Sequence, residues 1–144
     1  MKKSDFIKRL DHPALEAAIG RAESLTSGEI RVIVLAEPAP EPVATARAAF
    51  ARLGMEKTRE RNGVLLLVAP ASQTFAIVGD EAVHAKCGQA FWDELAAAMT
   101  GHFKQADFTA GLLAGIARCG ALLGEHFPRR ADDQDELPNK VVEG

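Results

Sequence analysis

The sequence predicts an α/β fold: a small mixed β-sheet, made of one β–α–β crossover plus an antiparallel hairpin strand, flanked by helices. Three observations carry this. Residues 29–37, EIRVIVLAE, alternate early and are rich in branched side chains, as a half-buried pleated strand requires. Residues 63–70, GVLLLVAP, form a continuous apolar run of the kind found in a strand covered on both faces. Residues 74–80, TFAIVGD, follow after only the turn PASQ, which makes the second and third strands a hairpin.

In chain order, Pro13 opens a helix whose Leu15, Ala18, Ile19 and Ala22 recur at helical spacing until TSG at 26–28. The preceding SDFIKRL adds one turn. After the first strand, the proline-punctuated EPAPEP leads into VATARAAFARLGM, where Ala46, Phe50 and Leu53 share a face and Gly54 ends the helix. The polar stretch GMEKTRERNG then precedes the second strand. From the third strand to about Phe127 the pattern is helical, with AFWDELAAAMTGHFKQ in one helix and TAGLLAGIARCGALLGEHF in another. The spacing thus defines one domain over 1–128, and its crossover is right-handed by the general rule. Residues 129–144, RRADDQDELPNKVVEG, carry five acids and three bases and hold almost no large apolar side chain, so they are expected to be a mobile acidic tail able to dock a protein partner.

Composition narrows the function classes. The chain has 144 residues, 47% hydrophobic and 26% charged, with a net charge of -3. That balance offers no basic surface for nucleic acid. The start MKKSDFIKRL has lysines but no apolar core, because Asp5, Lys8, Arg9 and Asp11 interrupt it. No apolar stretch reaches the ~20 residues that span a bilayer, and Arg118 interrupts the glycine-spaced GLLAG and GALLG; the expected location is cytoplasmic. Cys87 and Cys119 read as small buried side chains, and HAKC at 84–87 lacks the second ligand pair of a zinc site.

With the first two strands parallel and the third antiparallel, one sheet edge gathers most of the unusual polar residues. It holds Thr26, Ser27 and Glu29, then Lys57, Thr58, Arg61 and Asn62, then Asp80 and Glu81, and each group carries a glycine, Gly28, Gly63 or Gly79, for close backbone approach. Three readings follow. The residues serve as ordinary caps and turns, with Asp80 capping the next helix. Alternatively, Glu29, Asn62, Asp80 and Glu81 hold a hard cation such as Ca²⁺ or Mg²⁺, which takes oxygen ligands. In the third, Ser27, Lys57, Thr58, Arg61 and Asn62, with Arg59, bind a small phosphorylated ligand. The general rule for open α/β sheets points instead to the opposite edge, at Glu37, Glu41, Ser72 and Gln73, where the polar residues are sparse.

The same residues carry a resemblance. TSGEIRV at 26–32, LGMEKTRERNGVLLLVA at 53–69, FAIVGDEAVHAKCG at 75–88, FWDEL at 91–95, FTAGLLAGI at 108–116 and HFP at 126–128 together resemble the TPM domain, and DELPNKVV is similar to endings in its short, soluble bacterial branch. That family includes thylakoid lumen proteins of photosystem repair and many bacterial proteins of unknown role. The resemblance implies an α/β/α sandwich, an acid-phosphatase activity and calcium binding by loops at one sheet edge. Two departures bear on the site: Glu81, Ala82 and Val83 stand where the branch commonly has GDxGI, and Arg61 stands where many members have Asp before NG. A cation in place of a carboxylate weakens a Ca²⁺ site directly.

Phosphate-ester hydrolysis needs a nucleophile or metal-activated water and charge stabilisation. The chain has no CxxxxxR loop, since Asp93 and Glu125 stand six residues after the two cysteines, and no DxDx[TV], RHG or GxSxG. His12, His84, His102 and His126 stand singly in helical or flanking segments. Two functions therefore remain: a weak metal-assisted phosphatase-like protein, and a non-catalytic ligand- or partner-binding domain without metal.

Overall fold

The computed structural model describes residues 1–129 and 141–143. The mixed sheet is as expected at its centre. Strand β1 (Glu29–Val34) lies parallel to β2 (Gly63–Ala69), and β2 lies antiparallel to β3 (Thr74–Gly79). A short β4 (Val142–Glu143) pairs parallel with Ile33 and Val34, giving the order β3-β2-β1-β4. The expected mobile tail falls largely on 130–140, outside the described residues.

The helices are α1 (Lys3–Lys8), α2 (His12–Glu23), α3 (Pro42–Arg52), α4 (Glu81–Lys104) and α5 (Phe108–His126). The extra turn read in SDFIKRL is a helix of its own, seated by Phe6 at 3% exposure. Asp11 caps α2 by accepting from Ala14 N at 3.0 Å. Strand β1 stops at Val34, short of the expected 37: Leu35 N still donates to Val68 O, but Ala36 and Glu37 are exposed and Pro38 has no N–H for a ladder.

Alternation along β1 and β2 builds the sandwich. Ile30, Val32 and Val34 with Val64, Leu66 and Val68 pack against α1, α2, α4 and α5, while Ile33, Leu65 and Leu67 face Ala46 and Ala49 of α3. All seven residues of β2 are buried, which is why its sequence is apolar without interruption. Among the described residues, α5 is the one helix long and apolar enough to cross a membrane, yet its Leu112, Ile116, Cys119 and Leu123 are fully buried in this core. Burial pushes the Cys119 thiol up to about 12 and raises Cys87 also, so both are neutral small side chains near neutral pH.

Helix α4 bends at Gly88, whose φ of 74° and ψ of 173° belong to a region open essentially to glycine alone. Among the described residues, added side-chain bulk meets nothing within 4 Å there, nor at Gly101 later in the same helix. Gly88→Ala is therefore expected to destabilise by about 1–3 kcal/mol through backbone strain. Gly101→Ala is expected to stabilise by about 0.5–1 kcal/mol through helix propensity. Urea denaturation of both variants checks the pair, and equal effects would exclude the backbone as the cause.

Candidate functional site

The parallel register, with Glu29 opposite Gly63, and the antiparallel register, with Val64 opposite Gly79, bring all three polar segments to one edge. The rim divides into two clusters, joined through the adjacent residues Arg61 and Asn62.

The first cluster is an ion pair. Arg61 donates from Nε and Nη2 to the two carboxylate oxygens of Asp80 at 2.8 and 2.9 Å, a bidentate fork. Its Nη1 lies 3.5 Å from Glu81 Oε1. The Asp80 side chain is 6% exposed and also accepts from Glu81 N at 2.7 Å, so the helix cap and the ion pair share one carboxylate. The guanidinium pKa is raised, chiefly by the hydrogen bond to Asp80 and further by the charges of Asp80, Glu81 and Glu56 against some desolvation, so Arg61 is permanently cationic. Arg61 holds a left-handed backbone, φ 53°, while its carbonyl accepts from Ala82 N at 3.3 Å. Side chain and backbone thus both tie the loop to the start of α4.

The second cluster is hydrogen-bonded. Ser27 Oγ donates to Glu60 Oε2 and accepts from Asn62 Nδ2 at 3.0 Å. Asn62 is fully buried; its Nδ2 also reaches Glu60 Oε2 at 3.4 Å, which sets the amide's orientation, because a carboxylate only accepts. That orientation leaves Asn62 Oδ1 buried without a hydrogen-bond partner among the described residues. Thr58, 5% exposed, is internal to the loop, its Oγ1 accepting from Asn62 N. Glu29 is 2% exposed at the start of β1, and Lys57 is exposed. Of the three rim glycines, Gly28 does permit close backbone approach, since a Cβ there would stand 3.0 Å from Asn62 O, whereas Gly79 faces the Trp92 indole.

This arrangement does not fit the divalent cation read from Glu29, Asn62, Asp80 and Glu81. Arg61 already faces both oxygens of Asp80, and among the described residues no three His, Cys, Asp or Glu side chains are grouped to hold a metal. Nor do Ser27, Lys57, Thr58, Arg61 and Asn62 converge as a phosphate cradle: Ser27 is bonded to Glu60, Thr58 is turned inward, and Arg61 is paired with acids.

The concavity at this edge adjoins the ion pair. A pocket of about 450 Å³ is lined by Asp80, Glu81, Arg47, His84, Gln89 and Trp92. Trp92 Nε1 donates to His84 Nδ1 at 3.0 Å, so a neutral His84 carries its proton on Nε2. Sequence reasoning misses Glu60, which in RERNG looks like one more solvated charge, and His84, which stands singly in its helix; Trp92 is a core residue, 7% exposed, that also lines the pocket. Only the rim segments' return in space, and the bend at Gly88, bring them to the site.

The TPM domain family model matches residues 1–122. The NMR structure of BA42 protein from the psychrophilic bacterium Bizionia argentinensis is 39% identical, with a TM-score of 0.84 and 92% of each chain covered. The N-terminal domain of cg2496 protein from Corynebacterium glutamicum, 18% identical with a TM-score of 0.60, covers 92% of this chain and 80% of its own. The N-terminal domain of a P. gingivalis protein, 16% identical with a TM-score of 0.57, covers 79% and 75%. These last two share the fold. No curated protein matches the chain. With the motifs along its length, the α/β/α sandwich and a family match over 122 residues in agreement, the chain belongs to the TPM domain family.

Proposed function

We propose that this TPM domain is a non-catalytic binding domain whose polar rim is closed by its own arginine and needs no divalent cation. The observation that carries this reading is the Arg61 fork on Asp80, which puts a fixed positive charge against the rim's best-placed carboxylate. With Glu81 beside it, that charge is neutralised locally, so the rim serves a polar segment of a protein partner better than a small phosphorylated ligand. The metal-assisted phosphatase is the second reading, and one observation favours it: Asn62 Oδ1, buried with no donor among the described residues, is an oxygen suited to a hard cation.

Thermal unfolding with calcium, magnesium or a chelator separates the two. The native chain is expected to unfold at one temperature in all three conditions. Arg61→Asp, which sets another carboxylate beside Asp80 and Glu81, is expected to gain a calcium-dependent rise of about 5 °C, the size that about 1–2 kcal/mol of binding linkage gives. A calcium-dependent rise in the native chain, with NMR shifts at Asn62, Gly63 and Asp80, would sink the metal-free reading. Turnover of p-nitrophenyl phosphate that disappears in an Asp80→Ala, Glu29→Ala double variant would sink the non-catalytic one.

A further inference from the structure

At the opposite edge of the sheet, beyond the carboxyl end of β2, lies a cavity of about 570 Å³. Its walls include Phe6, Phe75, Phe103, Phe108, Gln73 and Lys104, drawn from α1, β3, α4, α5 and the hairpin turn. The four rings form a continuous series. Phe75 meets Phe103 edge-on at 5.0 Å, Phe103 lies 6.2 Å from Phe108, and Phe108 lies 4.8 Å from Phe6. Three of them, Phe75, Phe103 and Phe108, are only half-buried although all line the cavity, so apolar ring surface is left for another molecule.

From this geometry we infer a binding site for a small aromatic carboxylate, its body against the phenylalanine wall and its charge at Lys104. Three independent features agree on that class. The volume lies within the roughly 300–1,000 Å³ of small-molecule sites. Among the described residues, Lys104 is the one charged side chain in the lining and none of them brings a carboxylate to it, so the cavity favours an anion over a cation. The last two residues of β2, Val68 and Ala69, also line it, which places it where open α/β sheets take their ligands. The inference does not depend on the rim, which lies at the other end of the same strands: a rim that bound metal would leave this cavity unchanged.

The shape is held by packing from behind. Helix α5 approaches so closely at Gly111 that a Cβ there would stand 2.4 Å from Phe103 Cε1, so Phe103 has no room to swing away from the cavity. Arg9 covers Phe108, its guanidinium carbon 5.5 Å from the ring centre.

The test is a titration of the isotope-labelled full chain with phenylbutyrate, followed by amide NMR shifts, beside its neutral analogue phenylbutanol. Saturable shifts are expected at Phe75, Phe103 and Lys104, with the alcohol about fivefold weaker, as an exposed charge contact gives. Lys104→Glu, an exposed change, is expected to weaken phenylbutyrate about tenfold through charge reversal and leave the alcohol unaltered. Thr100→Leu gives up only a hydroxyl bond to Ala96 O within the helix and fills part of the cavity, so it is expected to weaken both probes. Absence of saturable shifts, shifts centred on Asp80 and Glu81, or a Lys104→Glu variant that keeps the native preference for the acid would each overturn the inference.

Discussion

Leu66→Ala is expected to lower the unfolding free energy by about 3 kcal/mol, within the range of about 2–5 for emptying a full leucine site. Leu66 is completely buried at the middle of β2, with Val32 and Ile77 as its strand neighbours. Helix α5 rests directly on it: a Cβ at Gly115 would come within 2.7 Å of Leu66 Cδ2 and 2.9 Å of Met99 Sδ. A void there is bounded by a sheet on one side and two helices on the other, and rigid elements collapse poorly. Against a total stability of about 5–15 kcal/mol, this is a large fraction. Leu25→Ala, at a position 68% exposed, supplies the control and is expected to change stability by less than about 0.5 kcal/mol. Chemical denaturation measures both, and a loss under about 1 kcal/mol at Leu66 would contradict the packing described.

Gly79→Ala is expected to cost about 2 kcal/mol and to disturb the pocket beside the rim. The added methyl would sit 2.7 and 2.8 Å from Cζ2 and Cη2 of Trp92 and 3.3 Å from Val83 Cβ. The indole is 7% exposed and held to His84, so it has little freedom to recede. Trp92 is the single tryptophan of the chain, so its emission reports the displacement without labelling. A shifted emission spectrum should accompany the lower denaturation midpoint. Trp92→Leu, which clears space over the strand, is expected to make Gly79→Ala less costly than in the native chain, the coupling expected of residues in contact. Unchanged emission together with purely additive costs would place the ring elsewhere.

The central strands were legible because burial leaves a direct imprint on them. A strand covered on both faces has to be apolar at every position, and GVLLLVA is; β1 instead alternates at its start, because polar Glu29 and Arg31 fall on its α3 side while Ile30 and Val32 face the other core. Two helix starts were legible for a similar local reason, Pro13 in the first turn of α2 and Asp80 capping α4 by accepting from Glu81 N. Two features left no such imprint. The short β4 pairs only two residues with β1, across more than a hundred residues of chain. The Gly88 bend sits inside a pattern that reads as uninterrupted helix.

The polar rim shows the same division. Its membership followed from strand order: parallel β1 and β2 with antiparallel β3 must bring 26–29, 57–62 and 80–81 to one edge. The partnerships did not follow. Whether Asp80 met a metal or an arginine, and whether Ser27 met a ligand or Glu60, depended on contacts of a few ångströms between segments 19 and 33 residues apart. The phenylalanine wall is a further case, because Phe6, Phe75, Phe103 and Phe108 each look like ordinary core residues until four elements bring them side by side.

The sequence by itself determined the sandwich, the order of its first three strands and the edge on which the polar groups collect, because hydrophobic periodicity and turn chemistry act over neighbouring residues. Tertiary structure alone decided that Arg61 closes the rim and that a phenylalanine-lined cavity lies at the other end. Side-chain pairing depends on distances between remote segments, and a linear pattern of residue types does not contain those distances.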